Sequence, residues 1–394
     1  EIYTLSLHDA LPIYELPIMK IIHIITGLND GGAEAVLYRL CISDLTYQHV
    51  VISLMGEGKY GPLLRKAGIE VHCLGMQRGR ICLTGLIRLW RLLYQENATL
   101  VQTWMYHADL LGGITARFAG VRRVFWGIRH TTLEPSASRR TTMLVARLNA
   151  GLSRWVPVGI VCCAERAREI HRKLGYTEKK MVVIPNGYDL SLFSPTPESR
   201  QRLRTEWKID NTMLLFGMVG RFDPQKDHKN LMAALSLLKK QHVAFRCLLV
   251  GTEMDTDNQQ LATWLDQYAL RDEVMLLGPH NDIPAVMNAI DIHVLSSSFG
   301  EAFPNVLAEA MACGTPCVST DVGDAAMIIG NTGWIVPPQS SELLAHSLKL
   351  ALKEWQDQSA WLKRQQDARR RILDRFSIER MVSAYHMVWN RMGI

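Results

Sequence analysis

Several features that would place the chain in a familiar class are missing from its sequence. No run of about 18 apolar residues occurs, so the sequence predicts no membrane-spanning helix. The N-terminal region lacks the basic start, apolar centre and cleavage site of a secretory signal. The eight cysteines form no paired C-x-x-C array, which excludes the common zinc motifs and is typical of buried thiols in a reducing compartment. We therefore expect a cytoplasmic protein.

Positive charge is concentrated in the first half of the chain. Residues 19–190 hold 23 Lys and Arg against 12 Asp and Glu, whereas residues 191–394 hold 21 against 23. A basic first half favours an anionic partner, such as a membrane surface or a phosphate-linked acceptor. The aromatic and glycine signatures of RNA-binding modules are absent, so nucleic acid is not an expected partner.

Short apolar runs alternate with helical patterns from Met19 onward. The length of 394 residues suits two domains. Apolar runs of this kind are typical of strands buried on both faces of a parallel sheet, with helices packed on each side. The predicted strands are Lys20–Thr26, His49–Leu54, Glu70–Leu74, Leu100–Thr103, Val124–Ile128, Val158–Cys162, Leu214–Val219, Arg246–Val250, Val274–Leu277, Ile292–Leu295, Pro316–Ser319 and Gly333–Val336.

The strand–helix alternation restarts after Pro195 and so divides the chain into two halves. We expect a first domain over residues 19–190, a second over residues 191–376, and a hinge at Asp189–Pro197, which is rich in proline and turn-forming residues. The last helix, within residues 377–394, has no strand after it and is expected to pack back on the first domain. Residues 1–18 show no clear period and are interpreted as a non-native extension.

The segment Glu301–Glu309 follows a predicted strand and leads into a predicted helix. Open α/β sheets bind ligands at the carboxyl ends of their strands. The first-turn N–H groups of Asn305, Val306 and Leu307, together with the helix dipole, suit a diphosphate. A carboxylate before this anion site and another beyond it suit the sugar hydroxyls and the ribose diol of a nucleotide-sugar.

Two cations follow another predicted strand of the second half. Arg221 and Lys226 come directly after Val219 and Gly220. An arginine offers a bidentate fork to a pyrophosphate, and a lysine offers a point charge. Both would stabilise a departing nucleoside diphosphate.

These segments resemble the motifs of one enzyme family, glycosyltransferase family 4. The two glutamates, with the Ala-Met-Ala-Cys-Gly-Thr-Pro that follows them, resemble the family signature. The resemblance extends in family order from Met19 to about Pro338. The other matching segments are Met19–Glu34 (opening strand and glycine loop), Pro185-Asn-Gly-Tyr-Asp189 (end of the first domain) and Val219-Gly-Arg-Phe-Asp-Pro-Gln-Lys226 (donor-phosphate loop).

The resemblance implies the GT-B fold, an α/β fold in which two Rossmann-like, doubly wound parallel-sheet domains face each other across a cleft. It implies a retaining enzyme that needs no metal or other cofactor. It also implies that His107 contacts the transferred sugar and that Gly31 and Gly32 line the cleft. The predicted catalytic residues are His107, Glu301, Arg221 and Lys226, and the predicted donor-binding residues are Gly31, Gly32, Gly220, Arg221, Lys226, Glu301, Ala302, Phe303, Asn305, Val306, Leu307 and Glu309.

Four other features are weaker candidates. Asp109 and His130 lie near the expected cleft edge. Asp255-Thr-Asp257 spells the D-x-D that binds metal in the other large glycosyltransferase fold, but it sits in a polar loop, and the resemblance implies metal independence. The amphipathic stretch Ile81–Tyr94, with arginines nearby, either docks on an anionic membrane or only covers the sheet.

The sequence therefore predicts sugar transfer from a nucleotide-sugar to a glycan or polyprenyl-linked acceptor. Surface polysaccharide or glycoconjugate assembly, at the inner face of the cytoplasmic membrane, is the expected setting. A sugar phosphorylase or a nucleotide-sugar epimerase on the same fold are the enzymatic alternatives, and dependence on inorganic phosphate would identify the phosphorylase. A non-catalytic binding subunit is the third alternative, and the complete set of cations and glutamates argues against it.

Overall fold

Two separate parallel β-sheets organise the chain, one in each half, and they confirm the predicted fold class. The structure is a computed structural model that describes residues 19–77, 82–131 and 140–391. The predicted extension at residues 1–18 lies outside the described residues. So do Ile81, the first residue of the predicted amphipathic stretch, and the nearby Arg78 and Arg80.

The first sheet has seven parallel strands, six of which the sequence predicts within a residue or two. The seventh is a strand of three residues that the apolar pattern did not reveal. Along the sheet the strands are ordered third, second, first, fourth, fifth, sixth, seventh. They are β1 (Lys20–Ile25), β2 (Gln48–Ser53), β3 (Glu70–Cys73), β4 (Leu100–Trp104), β5 (Arg123–Ile128), β6 (Gly159–Cys162) and β7 (Met181–Val183).

Helices cover both faces of this sheet. Ile22 and Ile24 of β1 belong to one apolar cluster, whereas Ile21 and Ile25 belong to another. Because successive side chains of a strand point to opposite faces, the two clusters lie on opposite sides of the sheet. The helices of this half are α1 (Gly32–Ser43), α2 (Tyr60–Lys66), α3 (Leu83–Gln95), α4 (Gly113–Phe118), α5 (Arg140–Leu152) and α6 (Glu165–Leu174).

The second sheet repeats the arrangement with six parallel strands. Their order along the sheet is β10, β9, β8, β11, β12, β13. The strands are β8 (Leu215–Val219), β9 (Arg246–Val250), β10 (Val274–Gly278), β11 (Ile292–Leu295), β12 (Cys317–Thr320) and β13 (Trp334–Val336). The helices are α7 (Pro197–Glu206), α8 (His228–Lys240), α9 (Gln259–Gln267), α10 (Ile283–Ala289), α11 (Asn305–Ala312), α12 (Ala325–Ile329), α13 (Ser341–Trp355), α14 (Gln358–Arg375) and α15 (Ile378–Arg391).

The chain crosses between the halves twice, and the two crossings lie side by side. The N–H of Tyr188 donates to the carbonyl of Phe376 (2.9 Å), and the N–H of Ile378 donates to the carbonyl of Tyr188 (3.0 Å). A Cβ on Gly187 would lie only 2.7 Å from the Cβ of Met381, so the close approach of the crossings requires glycine there. Any relative motion of the halves therefore bends both crossings together.

The final helix, α15, packs against the first half. Its Trp389 is fully buried in the cluster that contains Leu37 and Leu40 of α1, and its indole N–H donates to Gln102 Oε1 (3.2 Å). His386 bonds to the Asp44 carboxylate at 2.7 Å. The buried aromatic side chains of α15 thus complete one face of the first sheet.

Each sheet reverses its winding direction next to its first strand. The first reverses between β1 and β4, and the second between β8 and β11. Loops that leave the carboxyl ends of such strand pairs diverge and open a crevice. The loops after β1, β4, β8 and β11 carry most of the predicted site residues.

Two expectations from the sequence were that the cysteines are buried thiols and that no helix spans a membrane. All eight cysteines are free thiols and six are buried, but Cys73 and Cys82 keep partial exposure, contrary to the expectation for these two. Among the described residues, no helix is both long and apolar enough to cross a membrane.

Candidate active site

A buried ion pair joins the loop after β8 to the loop after β11. Lys226 Nζ lies 2.7 Å from Glu301 Oε1, with side-chain exposures of 14% and 9%. The Ser297 hydroxyl donates to the same oxygen at 2.8 Å. Burial by itself raises the pKa of Glu301, but the charge of Lys226 and the donated hydrogen bonds outweigh it, so the net pKa lies below its usual value. Glu301 is therefore ionised at neutral pH and accepts hydrogen bonds.

A short 3₁₀ turn, Pro224–Lys226, places the lysine. The Asp223 carboxylate caps this turn by accepting the N–H of Gln225 at 3.0 Å. A Cβ on Gly220 would lie 3.4 Å from Lys226 Cε, so the lysine stem passes along that glycine. The loop after β8 thus delivers the cation to the Glu301 loop.

Arg221 is far more exposed than Lys226. Its side chain is 59% exposed, and its Nε donates to Asp223 Oδ2 at 3.0 Å. Its charge nevertheless reaches the first half. Partial burial and then the charge of Arg221 lower the pKa of His130, although the His130 side chain keeps contact with solvent. The charge of Arg221 thus acts on a histidine that belongs to the first half.

The first turn of α11 lies against the first half. Asn305 Oδ1 accepts from Asn186 Nδ2 (2.9 Å) and from the Tyr188 hydroxyl (2.6 Å). The N–H of Leu307 already donates to the carbonyl of Pro304 at 3.2 Å. The expectation of three free amide donors is therefore wrong for Leu307, because a 3₁₀-type bond satisfies it.

Other predicted donor contacts have their side chains in the core. Phe303 packs edge-on against Phe376, with ring centroids 5.5 Å apart. Ala302 and Leu307 are buried as well. Ala302 and Phe303 therefore offer a ligand only their main chain. Glu309 lies one turn beyond Asn305 along α11.

The glycine loop after β1 lies against the first turn of α11. A Cβ on Gly32 would lie 3.0 Å from Asn305 Nδ2, so glycine permits the close approach of the two halves. A Cβ on Gly31 would collide with the carboxylate of Glu34. Burial raises the pKa of Glu34. The charge of Asp30 adds to this rise, and the charge of Arg221 opposes it.

His107 begins the turn that follows β4. Its side chain is half-buried. The next residues, Ala108–Gly112, form a π-helical segment, a form that is often found at functional sites. Met105, directly after β4, adopts a left-handed backbone (φ 74°), which costs about 1 kcal/mol or more.

Asp109 lies deeper and joins two strands. Its Oδ1 accepts from the Thr103 hydroxyl (2.5 Å) and from the N–H of Gly127 (3.1 Å). Its Oδ2 is buried, and none of the residues that the structure describes forms a hydrogen bond with it. Burial raises its pKa to about 8, against these hydrogen bonds and the charge of Arg129.

Replacing Asp109 by Asn therefore changes how stability depends on pH. The unfolded chain loses the carboxyl proton near the ordinary pKa, whereas the folded chain keeps it up to about pH 8. Asp109 thus lowers stability increasingly as pH rises through this window. The amide cannot ionise, so the Tm of Asp109→Asn relative to wild type rises from pH 5 to pH 8 in thermal melts. The exposed Asp374→Asn is the control, and a difference that stays constant with pH would contradict the assignment.

Two glycines support the site without any signal in the sequence. Gly251 has φ 146°, and a Cβ there would lie 2.1 Å from the carbonyl oxygen of Gly220. Gly323 has φ 62°, and its Cβ would lie 2.4 Å from the carbonyl oxygen of Glu301. The N–H of Asp324 then donates to the carbonyl of Ala302 at 2.9 Å. The loops that carry Lys226 and Glu301 thus each pack closely against a glycine.

Replacing Gly323 by Ala displaces the Glu301 loop. Gly278 is a matched control because its φ is 64° in the same half, and a Cβ there would meet nothing within 4 Å. Both variants carry the cost of a left-handed alanine, about 1 kcal/mol. Only Gly323→Ala forces backbone to move, so we expect it to lower kcat and Tm well beyond Gly278→Ala. Equal losses in the two variants would contradict the role of Gly323.

The described residues contain two groups whose side chains converge as metal ligands do, and neither involves Asp255 or Asp257. One group is His23, Cys41 and His49; the other is Glu70, His72 and Glu96. In the first group, Trp104 Nε1 donates to His23 Nδ1 (3.1 Å), and His23 Nε2 bonds to His49 Nδ1 (2.9 Å). Asp255 Oδ1 accepts the N–H of Asp257 at 3.1 Å and so caps its own turn.

The two halves, each built on its own parallel sheet, have the architecture of the GT-B glycosyltransferase fold. The structure of Anabaena Alr3699/HepE in complex with UDP-glucose is similar, with a TM-score of 0.82 and 21% identity over 94% of this chain and 99% of that one. The glycosyltransferase from Rickettsia africae ESF-5 has a TM-score of 0.82 and 19% identity over 96% of this chain and 99% of that one.

Sequence similarity then identifies the family. The family models "Glycosyltransferase Family 4" and "Glycosyl transferases group 1" match residues 30–192 and 199–368. The chain belongs to glycosyltransferase family 4, as the motifs predicted, and it is a glycosyltransferase.

Two curated relatives illustrate the similarity in sequence. The UDP-Gal:alpha-D-GlcNAc-diphosphoundecaprenol alpha-1,3-galactosyltransferase of Escherichia coli is 28% identical over 248 residues, which are 62% of this chain and 64% of that protein. The putative glycosyltransferase EpsF of Bacillus subtilis is 24% identical over 326 residues, 77% of this chain and 79% of that protein. The match thus spans somewhat less than two thirds of the first relative.

Proposed function

We propose that the enzyme transfers a hexosyl or N-acetylhexosaminyl unit from a nucleotide-sugar to a glycan or polyprenyl-linked acceptor, with retention of the anomeric configuration. The observation that carries this proposal is the buried Lys226–Glu301 pair beside the first turn of α11. It places a cation for a diphosphate next to a carboxylate for sugar hydroxyls.

The donor fits along α11 in a defined order. The sugar hydroxyls bind Glu301, and the diphosphate binds Arg221, Lys226 and the N–H groups of Asn305 and Val306. The ribose diol binds Glu309, which lies roughly 6 Å further along the helix axis. These residues supply the positive charge at the diphosphate, and no step in this scheme requires a metal.

The reaction follows from this placement. The bond between the anomeric carbon and the phosphate oxygen breaks, and its electron pair leaves with the diphosphate, which Arg221 and Lys226 stabilise. The acceptor hydroxyl attacks from the same face, and its proton passes to the leaving phosphate oxygen. His107, at the cleft edge after β4, contacts the transferred sugar.

The names of the relatives support the acceptor class. The E. coli relative is named for a galactose donor on UDP and an acceptor that is a GlcNAc-diphosphoundecaprenol. The structure similar to this chain was solved with UDP-glucose. A polyprenyl-diphosphate acceptor also suits the basic first half and places the enzyme at the cytoplasmic face of the membrane.

Helix α3 presents the membrane-facing surface in this proposal. The structure buries some of the apolar residues of this helix and exposes others. Leu89 and Leu93 are buried, whereas Trp90 and Tyr94 are 41% and 69% exposed. Phe118, which is 81% exposed, lies beside them and accepts a hydrogen bond from Trp90 Nε1 at its carbonyl. An exposed aromatic stripe is typical of a surface that enters the lipid headgroup region.

Vesicle sedimentation tests this surface. We expect wild type to bind phosphatidylglycerol vesicles more strongly than phosphatidylcholine vesicles, and Trp90→Ser combined with Tyr94→Ser to reduce that binding. Leu45→Ser is the control, because Leu45 is 93% exposed in the same half but away from α3. Equal binding by all three proteins would contradict a membrane role for α3.

Turnover of a nucleotide-sugar panel tests the function itself. UDP-, GDP- and ADP-linked hexoses and N-acetylhexosamines are incubated with polyprenyl-diphosphate-linked sugar acceptors, and nucleoside diphosphate release is measured. We expect release that depends on acceptor, and a product whose anomeric NMR coupling matches that of the donor. Release that requires inorganic phosphate, or an inverted product, would contradict the proposal.

A further inference from the structure

A first-half arginine reaches the carboxylate that takes the ribose in the proposed function. Arg39 belongs to α1, and its Nη1 lies 3.5 Å from Glu309 Oε1 of α11. The two side chains are 12% and 16% exposed. A pair this well buried responds to the loss of one partner far more than a surface pair does.

An aromatic ring holds this arginine in place. The guanidinium of Arg39 lies over the ring of Tyr188, 4.6 Å from its centroid. Tyr188 is fully buried, and its hydroxyl donates to Asn305 Oδ1 at 2.6 Å. These contacts therefore link α1, the crossing between the halves and two positions of α11.

Two hydrogen-bond donors of the Arg39 guanidinium have no acceptor in the described part of the chain. Its Nε and Nη2 are buried with no acceptor among the described residues. Buried charged donors are rarely left without an acceptor, and Nε with Nη2 forms the bidentate edge of a guanidinium. An oxygen-rich ligand next to Glu309 supplies acceptors of this kind.

We infer that Arg39 is a positioning residue for the nucleotide, which holds the Glu309 carboxylate in the orientation and charge that accept the ribose diol. The inference rests on the proposed function and adds to it. Donor affinity then depends on the first half as well as the second, and closure of the cleft strengthens nucleotide binding because it brings Arg39 to Glu309.

The ionisation of Glu309 gives this role a signature. Burial raises the pKa of Glu309, and the charges of Arg39 and Lys226 oppose that rise. The neighbouring Tyr60, Tyr188 and Cys313 stay neutral near pH 7, because burial raises the pKa of each. Without Arg39 the pKa of Glu309 rises further, so more of it is protonated as pH falls, and a protonated carboxyl accepts fewer hydroxyl bonds.

Calorimetric titration with UDP, GDP and ADP between pH 6.0 and 8.5 tests the inference, with the tightest of the three used for all variants. We expect Arg39→Met to weaken binding about tenfold or more at low pH and less at high pH. Arg39→Lys should recover part of the affinity. Arg65→Met, at an exposed pair with Glu57, is the control. Thermal melts confirm that each variant folds.

A double-mutant cycle separates this role from a structural one. In a Glu309→Gln background, Arg39→Met should have little further effect on binding, because the charge it supports is gone. A fully additive loss in the double variant, or wild-type affinity in Arg39→Met, would overturn the inference. If wild type binds none of the three nucleotides, the proposed function fails instead, so the two failures are distinguishable.

Discussion

Replacing Glu301 by Gln lowers kcat by about a hundredfold to a thousandfold, the scale of losing one charge-assisted contact to the reacting group. The amide keeps the shape of the side chain but removes its negative charge. Lys226 then loses its partner at 2.7 Å, and the sugar hydroxyls lose a charged acceptor. We expect donor KM to change less than kcat, because Glu309 and the cations still bind the nucleotide. Steady-state nucleoside diphosphate release measures both constants.

A matched variant isolates the chemistry of this position. Glu342 is exposed in the first turn of α13, far from the cleft loops, and Glu342→Gln makes the same chemical change. It should leave kcat unchanged. A folded Glu301→Gln protein with near-normal turnover would contradict the assignment of the site.

Replacing Lys226 by Met has the second large effect, and it extends to stability. The change leaves the Glu301 carboxylate buried without its cation, which costs roughly 3–5 kcal/mol when one partner of a buried pair is removed. Nucleoside diphosphate affinity should also fall by about tenfold or more, because a charged contact to phosphate is lost. Urea unfolding and calorimetry measure the two losses.

The same variant should raise the pKa of Glu301 above its usual value, whereas in wild type the pKa lies below it. In wild type, the charge of Lys226 is the largest influence that lowers the pKa of this carboxyl against its burial. Without the lysine, burial dominates and the pKa rises, so the residual activity of Lys226→Met should fall as pH decreases toward the new pKa. The double variant Lys226→Met/Glu301→Gln should be more stable than Lys226→Met, because it buries no unpaired charge. A double variant that is less stable would contradict the ion-pair account.

Periodicity located the strands because they are buried on both faces. Arg246–Val250 and Ile292–Leu295 were predicted with the bounds that the structure has. β7 was missed because three residues provide too little pattern, and its place in the sheet depends on pairing with β6. For the amphipathic stretch Ile81–Tyr94, the choice between membrane docking and covering the sheet stayed open, because periodicity alone does not say which of two adjacent stripes packs on the sheet.

The candidate site was only partly accessible to sequence reasoning. Glu301 and Lys226 were each placed in a cleft loop, but their direct bond joins positions 75 residues apart and depends on the packing of β8 beside β11. Gly251 and Gly323 look like ordinary turn glycines until the carbonyl groups that they face are known. Arg39 follows the pattern of a solvated helix cation, and only the approach of α11 reveals its partner.

A crystal structure with a bound nucleotide-sugar tests the central claim most directly. The donor is the UDP-, GDP- or ADP-sugar that raises the Tm most in a thermal-shift screen. The account predicts the sugar at Glu301, the diphosphate between Lys226, Arg221 and the first turn of α11, and the ribose diol at Glu309. A donor bound away from α11, or one bound there with its ribose far from Glu309, would contradict it.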